Sequence, residues 1–465
     1  METWISLLII IITVFHPSKN LQSNYGCSYE ILLTNDRQII CTNITSSFFQ
    51  YFNINVNRYH WLTCKSCNLS TITTETFHFP KNSITYLFLI DNQITSIGNN
   101  SFSKLPFLKV LNLRNNLIRT IKSDTFTGIP KLLQLDLSRN HIERLDMDIF
   151  RDLENLDILN LNQNQIRFIH RDAFTNLKNL KYLYVNRNYI ATLSDNIFEN
   201  LENLKILYLE NNEISEISPF AFNGLHNLNY LYLNNNTITA LTQYNFKPLR
   251  NLIDLQLRFN NLSIIDTSTF NGMKSIKFLY LGNNDLESIK SYGLIGLDSV
   301  EVIDFIGNKF QYFSLSTLKN MQNLSVLWLE NNNINNFTID SDTDVQRSLK
   351  VINLVENKLS HLKYKLLYKK VPQLEELWLG GNNWTCDFII EIYDYFSNKN
   401  VSVCTANNCT GEAFKQFIDD ICFEPYINET ELNYDFASDC TNSICVNYFI
   451  LYVISIKCCV FSTSF

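Results

Sequence analysis

A cysteine pair, two histidine–carboxylate pairs and a recurring set of tyrosines are the residues here whose types and spacing could carry chemistry. Cys64 and Cys67 form a C-x-x-C, the spacing of half a metal site. A second C-x-x-C pair nearby would have to complete it, and no cysteine lies between Cys67 and Cys386, so the two fit better as small buried hydrophobes. His141 with Glu143, and His170 with Asp172, could each supply a ligand or a base, but no second histidine completes a triad. With only 12 glycines there is no G-x-x-x-x-G-K or G-x-G-x-x-G phosphate cradle, and no nucleophile elbow is visible. The expectation is a protein without catalytic residues, cofactor or metal.

The tyrosines point to binding instead. Tyr182 and Tyr184, Tyr208, Tyr230 and Tyr232, Phe278 and Tyr280, Trp328 and Trp378 are interspersed with Arg187, Glu210, Arg258, Phe259 and Glu330. Amphipathic aromatics among charges are the composition of binding hot spots. The competing account is that aromatics suit strands and pack against cross-strand neighbours for stability. Solvent exposure decides between them, because a face this aromatic is costly unless something covers it. Earlier units offer Asn112, Asp136 and Asn160 instead, which centres the site on the units from Leu180 to Ile276.

A repeat positions these residues. Leu228, Leu231, Leu233, Asn236 and Ile238 recur 24 residues on as Leu252, Leu255, Leu257, Asn260 and Leu262, and 24 back as Leu204, Leu207, Leu209, Asn212 and Ile214. So short a fixed period means a solenoid, whose units bury their apolar faces only by stacking. Regular units start at Ile84 and run to Leu374, with a degenerate one at Tyr59, fourteen in all; the last two steps are 25 residues, the extra one placed in the outer loop. Each opens with a short strand such as LYL, apolar members inward and the aromatics outward, side by side at a strand spacing of about 5 Å. The asparagine column from Asn92 to Asn382 must hydrogen-bond to backbone in the bend after the strand. A second column, Phe102 to Phe270, pairs with Leu105, Ile129, Leu153 and their equivalents on a short helical turn that forms the outer wall.

These units, LxxLxLxxNxLxxL followed by F and L, resemble the extracellular 24-residue leucine-rich repeat. They are similar to those of Toll-like receptor ectodomains, Slit-type and chaoptin-type adhesion proteins and insect secreted immune proteins, over about Tyr59 to Phe423. The resemblance implies an α/β horseshoe solenoid with a parallel sheet on the concave face and cysteine-containing caps at both ends. Asn382, Asn383, Trp384, Thr385 and Cys386 look like the start of the family's C-terminal cap, but Asp387 and Phe388 follow where a second cysteine is usual. Cys404, Gly411 and Cys422 resemble its later part, with Cys409 extra. By that resemblance Cys386 would pair with Cys404 and Cys409 with Cys422, although four cysteines allow three connectivities. The implied settings are adhesion or innate recognition, with a protein ligand or receptor ectodomain as partner.

The ends suggest export. Ile5 to Phe15 is an apolar run too short to span a bilayer and fits a signal peptide over 1–24, despite Glu2 and no basic residue ahead of it. A cap follows over 25–58, where Cys27 and Cys41 are expected to form a disulfide; then come repeats over 59–383, a cysteine-rich cap over 384–423, a stalk over 424–443 and an apolar tail over 444–465. The 12 cysteines gather at the two ends, as stapled caps would. Sequons at Asn43, Asn68, Asn99, Asn235, Asn261, Asn323, Asn336, Asn383, Asn400, Asn408 and Asn428 offer glycosylation sites if the chain is exported. The tail suits a lipid-anchor signal better than a membrane span, with Lys457 against it; Cys458 and Cys459 are then palmitoylation candidates. The net charge of -7, without a basic stripe, argues against nucleic acid. The expected function is an extracellular or cell-surface binding protein; the alternative is a freely secreted carrier or inhibitor with no membrane link.

Overall fold

The sheet starts before the repeats do. In the computed structural model, described over residues 21–24, 26–31, 37–45, 49, 59–79, 82–340, 343–405, 408–409 and 411–422, strand Cys27–Ile31 pairs antiparallel with Arg37–Thr42. Arg37–Thr42 then pairs in parallel with Trp61–Lys65. From Tyr86–Phe88 to Glu376–Trp378 every coil adds one three-residue strand, and Ser402–Cys404 adds the last to an 18-stranded sheet. All fourteen expected units contribute a strand. The caps extend the ladder at both ends, although they lack the consensus, because parallel pairing needs backbone groups and not leucines. Leu21–Asn24 also pairs with the first cap strand, so a boundary after residue 24 would remove an edge of that cap. Met1–Gln416 forms one compact unit, in which the repeats and the open face of their sheet lie.

Register follows from the pattern. Leu183 pairs with Leu207 and Leu207 with Leu231, each with no solvent exposure, while the residues on either side face outward and are half-buried. Behind the strands the asparagine column closes each bend. Asn212 Nδ2 donates to the carbonyls of Val185 (3.1 Å) and Leu209 (3.0 Å), and its Oδ1 accepts from the Ile190 N–H (3.1 Å). One amide thus ties its own bend to the preceding coil. The phenylalanines stack as a continuous column from Phe77 to Phe270, with neighbouring centroids such as Phe174–Phe198 at 6.1 Å.

The outer wall is less helical than α/β suggests. After each phenylalanine the chain makes a single turn, with Leu201 N–H donating to the Phe198 carbonyl at 3.0 Å. Within the array, only Leu315–Leu318 (3-10) and Tyr364–Lys370 form helices among the described residues; Cys386–Ser397 and Gly411–Cys422 follow it in sequence. The extra residue of the last two steps falls between one bend and the next. The backbone N–H groups of Ile334 and Leu359 reach asparagines 23 residues on, whereas that of Ile238 reaches one 22 residues on.

Two cysteine expectations need correction. Cys64 and Cys67 are not free hydrophobes but a disulfide, within reach because Cys67 occupies the asparagine position at the bend. Cys404 is bonded to Cys409, not to Cys386, because the short loop after the last strand returns the chain onto it. This also removes Cys409 as a partner for Cys422; Cys386 is itself disulfide-bonded. Cys27 is bonded to Cys41, its direct partner across the hairpin. Among the described residues no helix is long and apolar enough to cross a membrane. The signal-peptide run, Asn428, the stalk and the tail lie outside the described residues.

Candidate ligand-binding face

The X-L-X strand presents two side-chain columns to the open face, and the residue two places beyond the second forms a third. Tyr182, Ile206, Tyr230, Asp254 and Phe278 follow one another in the first column, and Tyr184, Tyr208, Tyr232, Gln256, Tyr280, Asp304 and Trp328 in the second. In-register pairing brings three of the rings face to face. Tyr184 and Tyr208 stack at 4.6 Å and 9°, and Tyr208 and Tyr232 at 4.7 Å and 6°. Both accounts of the tyrosines are therefore partly met: they pack across strands, and each remains half-exposed. Gln256 ends the stack.

In the third column Asn162, Asn186, Glu210, Asn234, Arg258 and Gly282 occupy successive coils. Glu210 lies against the tyrosine stack. Burial pushes its carboxyl up to about 7, against the opposing pull of Arg187 and the Asn186 amide. Burial likewise raises Asp254 to about 6, although Gln256 donates to it at 2.8 Å and Arg258 is nearby. The Tyr184, Tyr208 and Tyr232 hydroxyls are held well above their ordinary range, chiefly by burial and then by charges that include Glu210 and Asp254; Tyr280 reaches about 12.

Arg258, expected to meet a ligand, has an internal partner. Its Nε donates to the fully buried Asp304 two coils on, and its guanidinium carbon is 4.7 Å from the Tyr280 ring centroid. Gly282 lies between the two, and a Cβ there would approach Asp304 Oδ2 to 2.6 Å. Any side chain at 282 would thus displace the carboxylate. Arg187 and Phe259 are exposed at the bends, where their backbones adopt φ of 55° and 56°, a left-handed conformation rarely taken by bulky residues. Trp328 lies beyond Asp304, separated from the stack by Gln256 and Tyr280 along the column, and Glu330 accepts from Asn353 at 2.9 Å. The stack thus unites Tyr184, Tyr208 and Tyr232 with Glu210, while Trp328 stands apart.

A second aromatic cluster escaped the sequence reading. Trp61 stacks on Tyr86 at 4.0 Å and on Phe88 at 5.5 Å, at the N-terminal end of the same face. Its signal was present in the repeat register, which puts all three at outward strand positions. Another missed set is a surface ladder, Asn155, Asn179, Asn203, Asn227 and Asn251, each donating to a carbonyl of the preceding coil at 2.8–2.9 Å. All ten described sequon asparagines are exposed, unlike those of the bend column. His141 contacts Gln165 at 3.0 Å and His170 lies 3.6 Å from Asp172; they do not converge. Glu376, Cys404 and Cys409 come together near the last strand, but the two sulfurs are bonded to each other and offer no thiolate to a metal.

The leucine rich repeat family profile matches residues 82–142, 134–190, 178–238 and 226–286. No curated protein matches the chain in sequence. Solved structures share the fold at low identity. A leucine-rich repeat protein of Leptospira interrogans has a TM-score of 0.62 at 20% identity, over 79% of this chain and 89% of that one. A TLR13 complex with ssRNA13 gives 0.62 at 23%, over 78% of this chain and 57% of that one. The Toll–Spatzle complex of Drosophila gives 0.54 at 19%, over 78% and 65%. The chain therefore spans less than two thirds of either receptor. A TLR13 solved with RNA also corrects the exclusion of nucleic acid from net charge: a fold of this kind can hold RNA, so the exclusion does not stand. The matched repeats, together with the coils that continue them at both ends, give this chain a leucine-rich repeat fold like that of Toll-type ectodomains.

Proposed function

We propose that this protein binds a protein ligand on the open face of its sheet, centred on Tyr184, Tyr208 and Tyr232, and works outside the cell or at its surface. The observation that carries this reading is the tyrosine stack. Three half-exposed rings, preorganised by strand pairing and flanked by desolvated carboxylates, form a rigid aromatic anchor of the kind that dominates interface energetics. At fold level, Toll is solved with Spatzle, a setting of development and innate immunity, and TLR13 with an RNA. The paired end-cap cysteines and the exposed sequons support an oxidising, exported location. Adhesion or innate recognition is the role we assign; a free secreted carrier or inhibitor is the alternative, and the fate of residues 444–465 distinguishes them.

Selection of a displayed peptide library on the full chain, with a photo-crosslinking residue in place of Tyr208 or of Tyr244 on the outer wall, tests the site. Crosslinking of selected peptides from 208 and not from 244 is expected; the reverse would move the site off this face. Surface staining of expressing cells before and after phospholipase treatment tests the location, with phospholipase-sensitive signal expected. Protein in the medium and none on the surface would make it a free secreted binder.

A further inference from the structure

Beside the tyrosine stack, three successive coils carry buried oxygens without a hydrogen-bond donor. They are Asn162 Oδ1, Asn186 Oδ1 and Glu210 Oε2, at equivalent third-column positions one coil apart. At a strand spacing of about 5 Å they make a short row of acceptors. Buried acceptors left unpaired are costly, and a row of three shares one remedy, a ligand rich in N–H donors. Two further features narrow that ligand. Glu210, in the coil of the middle ring, and Asp254, one coil beyond Tyr232, bring negative charge to the stack, and the rings offer π faces that attract a cation.

The molecule already holds one guanidinium this way. Two coils after Glu210, Arg258 in the same column lies over the Tyr280 ring and donates to buried Asp304. Glu210 has no such arginine: Arg187, the nearest cation on the preceding coil, is exposed at the bend and makes no ion pair with it among the described residues. We infer that Asn162, Asn186 and Glu210, with the Tyr184–Tyr208–Tyr232 stack, form a subsite for a cationic multi-donor side chain, an arginine or lysine in a basic segment of the protein ligand. This rests on the proposed ligand face and specifies its partner's chemistry. Guanidinium suits it best, with five donors in a planar fork that can both stack and bridge acceptors.

The groups that face the two carboxylates set the pH dependence expected of such a subsite. Glu210 is faced by Tyr184, Tyr208 and Tyr232, by Arg187 and by Asn186; Asp254 by Tyr232, Tyr280, Gln256 and Arg258. Below about 7 Glu210 loses its charge, so a cation should be released on mild acidification.

The test uses the full chain with a nine-residue oligoarginine peptide, a nine-residue oligoglutamate peptide and a uridine oligonucleotide. Oligoarginine should bind at alkaline pH, at least tenfold more weakly to Glu210→Gln and no differently to Glu216→Gln, an exposed control on the flank, while oligoglutamate should not bind. Oligoarginine affinity should fall as pH drops through about 7 in the parent chain and not in Glu210→Gln. Equal affinity in the parent and Glu210→Gln, or preference for the oligonucleotide or for oligoglutamate, would overturn the inference. A library-selected partner separates the two readings. Loss with Tyr208→Ala/Tyr232→Ala but not with Glu210→Gln would remove the cation subsite alone; retention by the double tyrosine variant would remove the ligand face itself.

Discussion

Single residues on this face act on stability in opposite directions. Glu210 has a folded pKa of about 7 against an ordinary 4.5, so its contribution to stability is complete below about 4.5 and is lost as pH rises through about 7. Glu210→Gln should therefore stabilise the fold by on the order of 2 kcal/mol at pH values well above that window and change nothing well below it. Thermal melts across the range check this; equal melting shifts at both ends would show that Glu210 is not desolvated as described. Arg258 behaves oppositely. Its removal leaves Asp304 buried without its charge partner, so Arg258→Met should cost about 3–5 kcal/mol in denaturant unfolding, with most of the loss recovered in Arg258→Met/Asp304→Asn. A neutral single variant would mean that the pair contributes nothing to the fold.

At the scale of the element, the asparagine bend and the X-L-X strand explain why so much was legible. A period of 24 residues fixes which side chains point inward, and parallel pairing without slippage carries that assignment from coil to coil. That is why Leu207, Asn212 and Tyr208 could each be placed from sequence. What could not be read depends on distances that the period does not encode. The Cys64–Cys67 bond needs the bend to bring two sulfurs together. The Arg258–Asp304 pair spans 46 residues across an intervening glycine. The cap strands pair in the ladder and are stapled by disulfides, but they do not carry the 24-residue pattern from which a unit is read. Asn212→Ala tests the bend directly, since it strips three buried hydrogen bonds from two coils. It should destabilise by about 2–3 kcal/mol, measured by urea unfolding. Asn203→Ala, on the exposed ladder with one bond at 2.9 Å, should cost under about 1 kcal/mol. Equal losses would contradict the distinction between the two columns.

For the whole molecule, stacking makes a rigid surface from units too small to fold alone. Most of its outward positions lie off the leucine core and are open to variation, Arg258, Gly282 and Asp304 being constrained by the Arg258–Asp304 ion pair. Aromatics gather where Tyr184, Tyr208 and Tyr232 meet, polar residues lead up to them at Asn112, Asp136 and Asn160, and a second aromatic group closes the N-terminal end at Trp61. A ligand spanning several coils would read that sequence of surfaces in order. The central claim is that the tyrosine stack is where it is anchored. The most direct measurement is the affinity of a library-selected binder for the parent chain and for Tyr208→Ala/Tyr232→Ala, with melting curves of both. A loss of more than tenfold, about 2 kcal/mol in an otherwise folded variant, is the expected result. Unchanged affinity in a folded variant would contradict it.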